Sequence, residues 1–429
     1  MLNEECKSCA FAFFSCCHAL HGNYGFVIWV HNFMPKFFIG RQPIFDRNLR
    51  IFAYELLYRH DNNNRAVITN GEKASAEVMF NSLIEIGLDR LVGNHKVFCN
   101  FTRDFLIKGD AIAFACKQVV IEVLEEVLPE PKVLDGIRSL KHMGHLIALD
   151  DFVVSDELIP LVKLADIIKI DVMTQSRNNI SKQLCCLRQI KPLKFIAEKV
   201  ETYDDFTFCR DLGFDYFQGY FFSKPKIVSG QKMPPGRMAL LRLLAELQQS
   251  DIDIEKLQKI IETDVNLSVK LLRLLNSSFY SLVSKVRSIR QAIVYLGMQN
   301  IRNWASLVAM GSVDDKPREL MTMSLVRAKM CELLCNTEDS ETRGMFFTVG
   351  LFSLLDAVFD RPMEQLLKHL PLTEEVNFAL THRQGLPGQA LRCVEAHERG
   401  DWDFIQGTDF DKNLFADAYL EALDWTRSI

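Results

Sequence analysis

The sequence lacks a bilayer-length apolar run, a surplus of one charge, a cysteine framework and a histidine-rich cluster, and each absence removes a class of protein. The apolar stretches near the start, AFAFF and GFVIWV, fall far short of the ~20 residues that a membrane span needs. Acidic Glu4 and Glu5 stand where a secretory signal places basic residues. Residues 1–33 therefore read as neither signal nor anchor. The first convincing strand begins at Lys36, directly after Met34 and Pro35, so Met34 is the expected native start and 1–33 a dispensable extension. Fifty Lys and Arg against 55 Asp and Glu give a net charge of −5. A near-balanced charge creates no field that draws in a nucleic-acid polymer or an anionic membrane. Of the 12 cysteines, Cys6, Cys9, Cys16 and Cys17 crowd the first stretch, and no second CxxC follows the Cys6/Cys9 pair at zinc-ribbon spacing. The other eight lie mostly inside apolar runs, the usage of reduced thiols in a cytoplasmic protein.

What is present is enough apolar material, 48% of 429 residues, to fill two cores. From residue 36 to about 226, short β-branched and aromatic runs (FFIG, VFCNF, VVIEVLE, LIALDDF, IIKIDV, KFIAEKV, YFQGYFF) alternate with stretches of helical period such as AEVMFNSLIEIGLDRLV. That alternation predicts an α/β domain with a parallel sheet, closed as a (β/α)8 TIM-like barrel. The runs begin apolar and end polar: Asn100, Glu122, Asp150 with Asp151, Lys169 with Asp171, Glu198 and Gln218. In such a barrel those ends meet on one rim, where active sites lie. Carboxylates gathered on one rim repel one another unless cations intervene. Oxygen donors without histidine suit Mg2+, Mn2+ or Ca2+ rather than zinc. The adjacent Asp150–Asp151 pair can serve two ions about 3.5 to 4 Å apart, the arrangement used for in-line phosphodiester cleavage.

Taken together in chain order, these motifs resemble the EAL domains that hydrolyse cyclic di-GMP. The naming Glu-Ala-Leu-x-Arg reads here Glu55-Leu56-Leu57-Tyr58-Arg59. Gln42-Pro43-Ile44 resembles the family's QPI segment, Asn100-Phe101-Thr102 its Asn-x-Ser/Thr, and Glu122-Val-Leu-Glu125 its ExxE. Asp150-Asp151-Phe152, Lys169-Ile170-Asp171, Ala197-Glu198-Lys199-Val200-Glu201, Gln218-Gly219-Tyr220 and Ser223-Lys224-Pro225 follow in order. The resemblance implies two Mg2+ or Mn2+ ions held by Glu55, Asn100, Glu122, Asp150 and Asp151. It implies a nucleophile positioned by Lys169 and oriented through Glu198 and Gln218, and substrate contacts from Gln42, Arg59 and Pro225. Two departures bear on catalysis. Active members continue DDF with a glycine-containing loop, where this chain has Val153-Val154-Ser155-Asp156-Glu157, and Lys199 replaces the glycine of AEGVE. Val153 is stiff where the family's backbone uses glycine freedom, and Lys199 sets a cation beside the carboxylates.

After Pro225 the stretch KIVSGQKMPPGR reads as a linker, and from Arg237 to Ile429 the period is helical throughout. The segment from Asp264 to Ser277, followed by Ser288 to Gly297, resembles an HDOD domain, a relative of HD hydrolases without their His-Asp metal pair. Ser353 and Leu354 stand where that pair would be. His369, His382 and His397 read as surface or packing residues, and Trp304 and Trp402 as core. The expected organisation is an extension over 1–33, an EAL-type barrel over 34–226, a linker over 227–236 and an HDOD-type multi-helix bundle over 237–429. The leading functional expectation is a cytoplasmic cyclic di-GMP phosphodiesterase producing linear pGpG, its helical half acting on a protein partner or on the barrel. The rival is a silent receptor or adaptor. A homodimer is a family expectation, and neither a membrane nor a nucleic-acid polymer is an expected partner.

Overall fold

The computed structural model describes residues 37–60, 87–108, 118–224, 235–249, 252–263, 268–269, 271–272, 286, 288–310 and 316–427. The expected extension over 1–33, the Met34 start, the Cys6/Cys9 pair, Pro225 and linker residues 227–234 lie outside them.

Eight strands close into a barrel in sequence order: β1 Phe37–Asp46, β2 Ile51–His60, β3 Lys96–Phe101, β4 Val119–Val123, β5 Leu146–Leu149, β6 Ile167–Asp171, β7 Lys194–Glu198 and β8 Tyr216–Gln218. Around them run helices α1 Leu88–Val92, α2 Arg103–Lys108, α3 Pro131–His142, α4 Ile159–Leu164, α5 Arg177–Ile190 and α6 Tyr203–Asp211. The helices start where the sequence signals a start. Ser176 accepts a hydrogen bond from the Asn179 amide at α5, and Thr202 accepts one from Asp205 at α6. Along α5, Ile180, Leu184 and Leu187 face the sheet at helical spacing.

One expectation is corrected. The sheet is not all parallel, because β1 runs antiparallel to both β2 and β8. A parallel crossover needs a dozen or more residues, and only residues 47–50 join β1 to β2. They form a tight turn in which the Asp46 carboxylate accepts from the amides of Asn48 and Arg50, with Leu49 left-handed at φ 57°.

The lumen is filled by Ile44, Ala53, Phe98, Val120, Ala148, Ile167 and Ile196. Side chains two positions apart on a strand share a face. The next inward positions toward the mouth are therefore Gln42, Glu55, Asn100, Glu122, Asp150, Lys169 and Glu198, with Gln218 following Tyr216 on β8. An apolar floor thus sits one strand period below a polar mouth.

The second half contributes α7 Pro235–Leu247, α8 Ile254–Thr263, α9 Ile289–Leu296, α10 Met298–Met310, α11 Arg318–Leu334 and α12 Ser340–Phe352. It continues through α13 Leu355–Phe359, α14 Met363–Leu367, α15 Glu374–His382, α16 Gly385–Glu398, α17 Trp402–Gln406 and α18 Lys412–Arg427. It packs on the barrel flank that the hairpin leaves without a crossover helix. There the Tyr54 hydroxyl donates to Glu319 (3.2 Å), and the Arg41 guanidinium lies over the Tyr54 ring and donates to the Leu91 carbonyl. Tyr220 donates to the Glu398 carbonyl (2.7 Å), and Arg90 pairs with Asp424. Gly40 lets the two halves approach closely, since a Cβ there would stand 3.1 Å from the His397 carbonyl oxygen and 3.4 Å from the Trp402 ring.

Trp304 and Trp402 are buried, as expected of core residues. Cys185 and Cys186, by contrast, are exposed on α5, so the apolar neighbourhood of these thiols in sequence does not translate into burial. Among the described residues no helix is long and apolar enough to cross a membrane.

Candidate active site

At the mouth, the Lys169 ammonium is buried and surrounded by four carboxylates. Its Nζ lies 3.1 Å from Glu55, 2.8 Å from Asp150 and 2.8 Å from Glu198, and it also bonds Glu122. Burial alone would lower the Lys169 pKa, but Glu122, Glu198, Glu55 and Asp150 more than offset it, and the group is held well above its ordinary value. One positive charge does not neutralise four negative ones. Burial first, and the Glu55 carboxylate next, push Glu122 well above the usual carboxylate range despite Lys169. Glu198 is raised to about 8, chiefly by burial and then by Asp150 and Glu55, against the attraction of Lys169.

Gln218 links the β1 and β2 sides of the ring. Its Nε2 donates to Gln42 Oε1 and to Glu55 Oε2, both at 2.7 Å. The next residue, Gly219, has φ 145°, and a Cβ there would collide with the Val200 backbone at 2.1 Å, so the turn that delivers Gln218 admits only glycine. Asn100 stands opposite Glu122 on the neighbouring strand.

The expected residues thus gather as follows. Gln42, Glu55, Glu122, Asp150, Lys169, Glu198 and Gln218 form one bonded ring, and Asn100 occupies the adjoining inward position. Asp151 lies in the loop after β5 and bonds Lys199 at 3.3 Å rather than Lys169. Glu125, the second acid of the ExxE-like motif, is exposed. Arg59 lies on β2 opposite Phe38, its side chain outside the described residues, as is Pro225. Asp171, expected on the rim but given no role of its own, is buried there and bonds Lys199 at 2.6 Å. The signal was its position two residues after Lys169 on the same inward face. Gln183 was missed: from α5 it donates to the Phe152 carbonyl (2.7 Å) and holds the loop that follows Asp151.

The backbone places the strain elsewhere than expected. Positive φ falls on Asp151 (40°) and Lys199 (54°), and Val153 is not among the positive-φ residues. The glycine-for-valine change therefore puts no left-handed strain at Val153, whereas Lys199 carries the left-handed conformation of the glycine it replaces.

The donor set of the mouth has the chemistry of a hard divalent-cation site. Of the ten buried side-chain nitrogen and oxygen atoms without a hydrogen-bond partner among the described residues, five are oxygens of this site: Asn100 Oδ1, Glu122 Oε2, Asp151 Oδ1, Glu198 Oε2 and Gln218 Oε1. Buried oxygens without donors are costly unless something positive meets them, and all-oxygen sets suit Mg2+ or Mn2+. The chemistry fits. Among the described residues, no three His, Cys, Asp or Glu side chains are grouped so as to hold an ion as they stand, because the carboxylates turn in to Lys169.

Among the described residues of the helical half there is no comparable ring of carboxylates. Where an HD hydrolase would carry its metal pair, Ser353 accepts a hydrogen bond from Arg327 (3.2 Å). Arg327 is further bonded to Glu398 at 2.6 and 2.8 Å. His369 and His382 are exposed, and His397 is buried between Trp402 and Tyr419.

A barrel with one reversed strand and a lysine-centred ring of carboxylates at its mouth defines an EAL-type domain, and residues 81–225 match the family model for the EAL domain. Residues 233–359 match that for the HDOD domain. Across 92% of this chain and 99% of its own length, the uncharacterized protein YuxH of Bacillus subtilis (strain 168) is 35% identical. Cyclic di-GMP phosphodiesterase CdgJ of Vibrio cholerae serotype O1 is 32% identical over 91% of this chain and 93% of its own length. A solved phosphodiesterase–cyclic di-GMP complex, PaMucR, is 22% identical with a TM-score of 0.35, covering 47% of this chain and 99% of that one. The chain belongs to the EAL–HDOD family of cyclic di-GMP signalling proteins.

Proposed function

We propose that this protein is a cytoplasmic cyclic di-GMP phosphodiesterase that opens one phosphodiester bond of the ring to give linear pGpG, with the helical half as its regulatory and partner-binding module. The observation that carries the reading is the under-neutralised ring at the barrel mouth, four carboxylates around the single buried Lys169. It is supported by the likeness of the whole chain to a relative named as a cyclic di-GMP phosphodiesterase.

Mg2+ or Mn2+ would be held by oxygens of Glu55, Asn100, Glu122, Asp150 and Asp151, and when bound supplies Lewis acidity that lowers the pKa of water. In hydrolysis the water oxygen forms a new bond to phosphorus as the bond to the 3′ oxygen breaks. One water proton goes to the leaving oxygen and the other to solvent or a nearby base. Lys169 is the buried charged donor of the ring, and its ammonium would stabilise negative charge that grows on the phosphoryl oxygens. Glu198, 2.8 Å from Lys169, would orient the attacking water, and Gln218 fixes Glu55 and Gln42 in orientation. Gln42, at the mouth, is proposed as a substrate contact together with Arg59 and Pro225.

The test is incubation of the full chain and a Glu55→Ala variant with cyclic di-GMP and Mg2+ or Mn2+, following product by chromatography and binding by calorimetry. Linear dinucleotide from the unsubstituted protein alone supports the enzyme. Binding without turnover makes the barrel a nucleotide receptor, the reading that the Lys199–Asp151 and Lys199–Asp171 pairs favour, and neither binding nor turnover leaves an adaptor.

A further inference from the structure

The rim carries two ammonium groups, and they divide its carboxylates between them. Lys169 takes Glu55, Glu122, Asp150 and Glu198, whereas Lys199 takes Asp151 (3.3 Å) and Asp171 (2.6 Å). The second group is built rather than incidental. Lys199 follows the last residue of β7 and adopts φ 54°, a left-handed conformation disfavoured for any residue with a Cβ. Its partner Asp171 is buried, and the other oxygen of that carboxylate accepts from the amides of Met173 (2.7 Å) and Thr174 (3.2 Å). Asp171 is thereby fixed from both sides, and its Oδ2 is aimed at Lys199.

The two groups differ in charge balance. Around Lys169 four carboxylates face one ammonium, leaving a deficit that a divalent ion would fill. Around Lys199 two carboxylates face one ammonium, and a dication brought beside it would be repelled at close range.

We propose that Lys199 is a resident counter-cation that takes the place of a second divalent ion beside Asp151, so that the mouth takes one such ion, on the side of Glu55, Asn100, Glu122 and Asp150. This rests on the reading of the mouth as a metal-dependent phosphodiesterase site. It makes Lys199 a residue that sets the metal count, and leaves Asp151 held by Lys199 through Oδ2, with Oδ1 open to the single ion rather than both oxygens shared between two.

The experiment is a Mn2+ titration of the chelator-treated full chain, counting bound ions by electron paramagnetic resonance and calorimetry, with circular dichroism to check the fold. The unsubstituted protein is expected to take up one Mn2+ per chain. Lys199→Gly is expected to take up a second, with at least about tenfold tighter binding at that position. Lys199→Met removes the charge while keeping a side chain, and is expected to gain the second ion as well. Two ions in the unsubstituted protein, or one ion in both variants, would overturn the proposal while leaving the phosphodiesterase reading intact. A second ion in Lys199→Gly but not in Lys199→Met would overturn it too, by tracing the effect to the backbone. No ion in any of the folded proteins would sink this proposal and the metal-dependent reading together.

Discussion

Among the described residues, the buried charge clusters of the helical half and of the barrel mouth are balanced differently. In the helical half, Arg327 bonds Glu398 through two nitrogens and approaches Glu395 at 3.4 Å, and Arg383 pairs with the same Glu395 at 3.0 Å. Two guanidiniums answer two carboxylates, and Ser353 takes a further N–H. At the barrel mouth one ammonium answers four carboxylates, and buried oxygens remain without donors. The first cluster is complete and holds helices together. The second is incomplete and calls for something from outside. Burial of charge by itself marks neither function nor stability; the balance of the cluster separates them.

The same substitution made in both clusters tests that contrast. Glu122→Gln is expected to lower turnover of cyclic di-GMP by about 1,000-fold while raising the melting temperature of the metal-free protein, because a neutral amide replaces a buried carboxyl that burial and Glu55 disfavour in its ionised form. Glu398→Gln is expected to lower the melting temperature, since it takes a charge from a balanced pair. If both variants shift in the same direction, the comparison fails. Removing the central cation of the complete cluster is the next largest effect: Arg327→Met leaves Glu395 and Glu398 short of a partner and should cost about 3–5 kcal/mol, read from urea unfolding.

A pH series sharpens the same point. Glu198 in the fold is raised to about 8 and Glu122 is raised as well, so the folded state binds protons that the unfolded state releases near the ordinary carboxylate value. The stability these groups contribute is full below that ordinary value and is lost as pH rises through about 8. The metal-free melting temperature should therefore decline over that window. Mn2+ affinity should climb over the same window, because an ion competes with those protons; a flat affinity between pH 6 and 8 would contradict the site. The smallest effect is expected away from both clusters. Gly40→Val pushes on the His397 carbonyl and the Trp402 ring and should cost ~1–3 kcal/mol, with the metal count unchanged.

Much of this was legible in the chain. The polar residue at the end of each strand gave the ring at the mouth, because the strand period of two places it directly above an apolar lumen residue: Phe98 below Asn100, Val120 below Glu122, Ile196 below Glu198. The reversed β1 was also written there, in a connection too short for a crossover, but strand–helix alternation points to a parallel sheet unless loop length is weighed with it. The partition of carboxylates between Lys169 and Lys199 was not legible. It depends on the left-handed backbone at Lys199 and on which oxygen of Asp171 its own loop amides occupy, and both are set by three-dimensional closure. Gln183 was out of reach for a similar reason, since a glutamine within a helix carries no sign that it will anchor a loop 31 residues before it.

The hairpin that reverses β1 has a consequence for how such proteins are assembled by recombination. A barrel with a crossover helix over every seam can be cut out and joined to new neighbours. This one has a seam roofed by the chain's other half, through Tyr54 on Glu319 and Tyr220 on Glu398. The unit that can be exchanged is therefore larger than the barrel that carries the chemistry, and any new fusion partner has to bring its own roof.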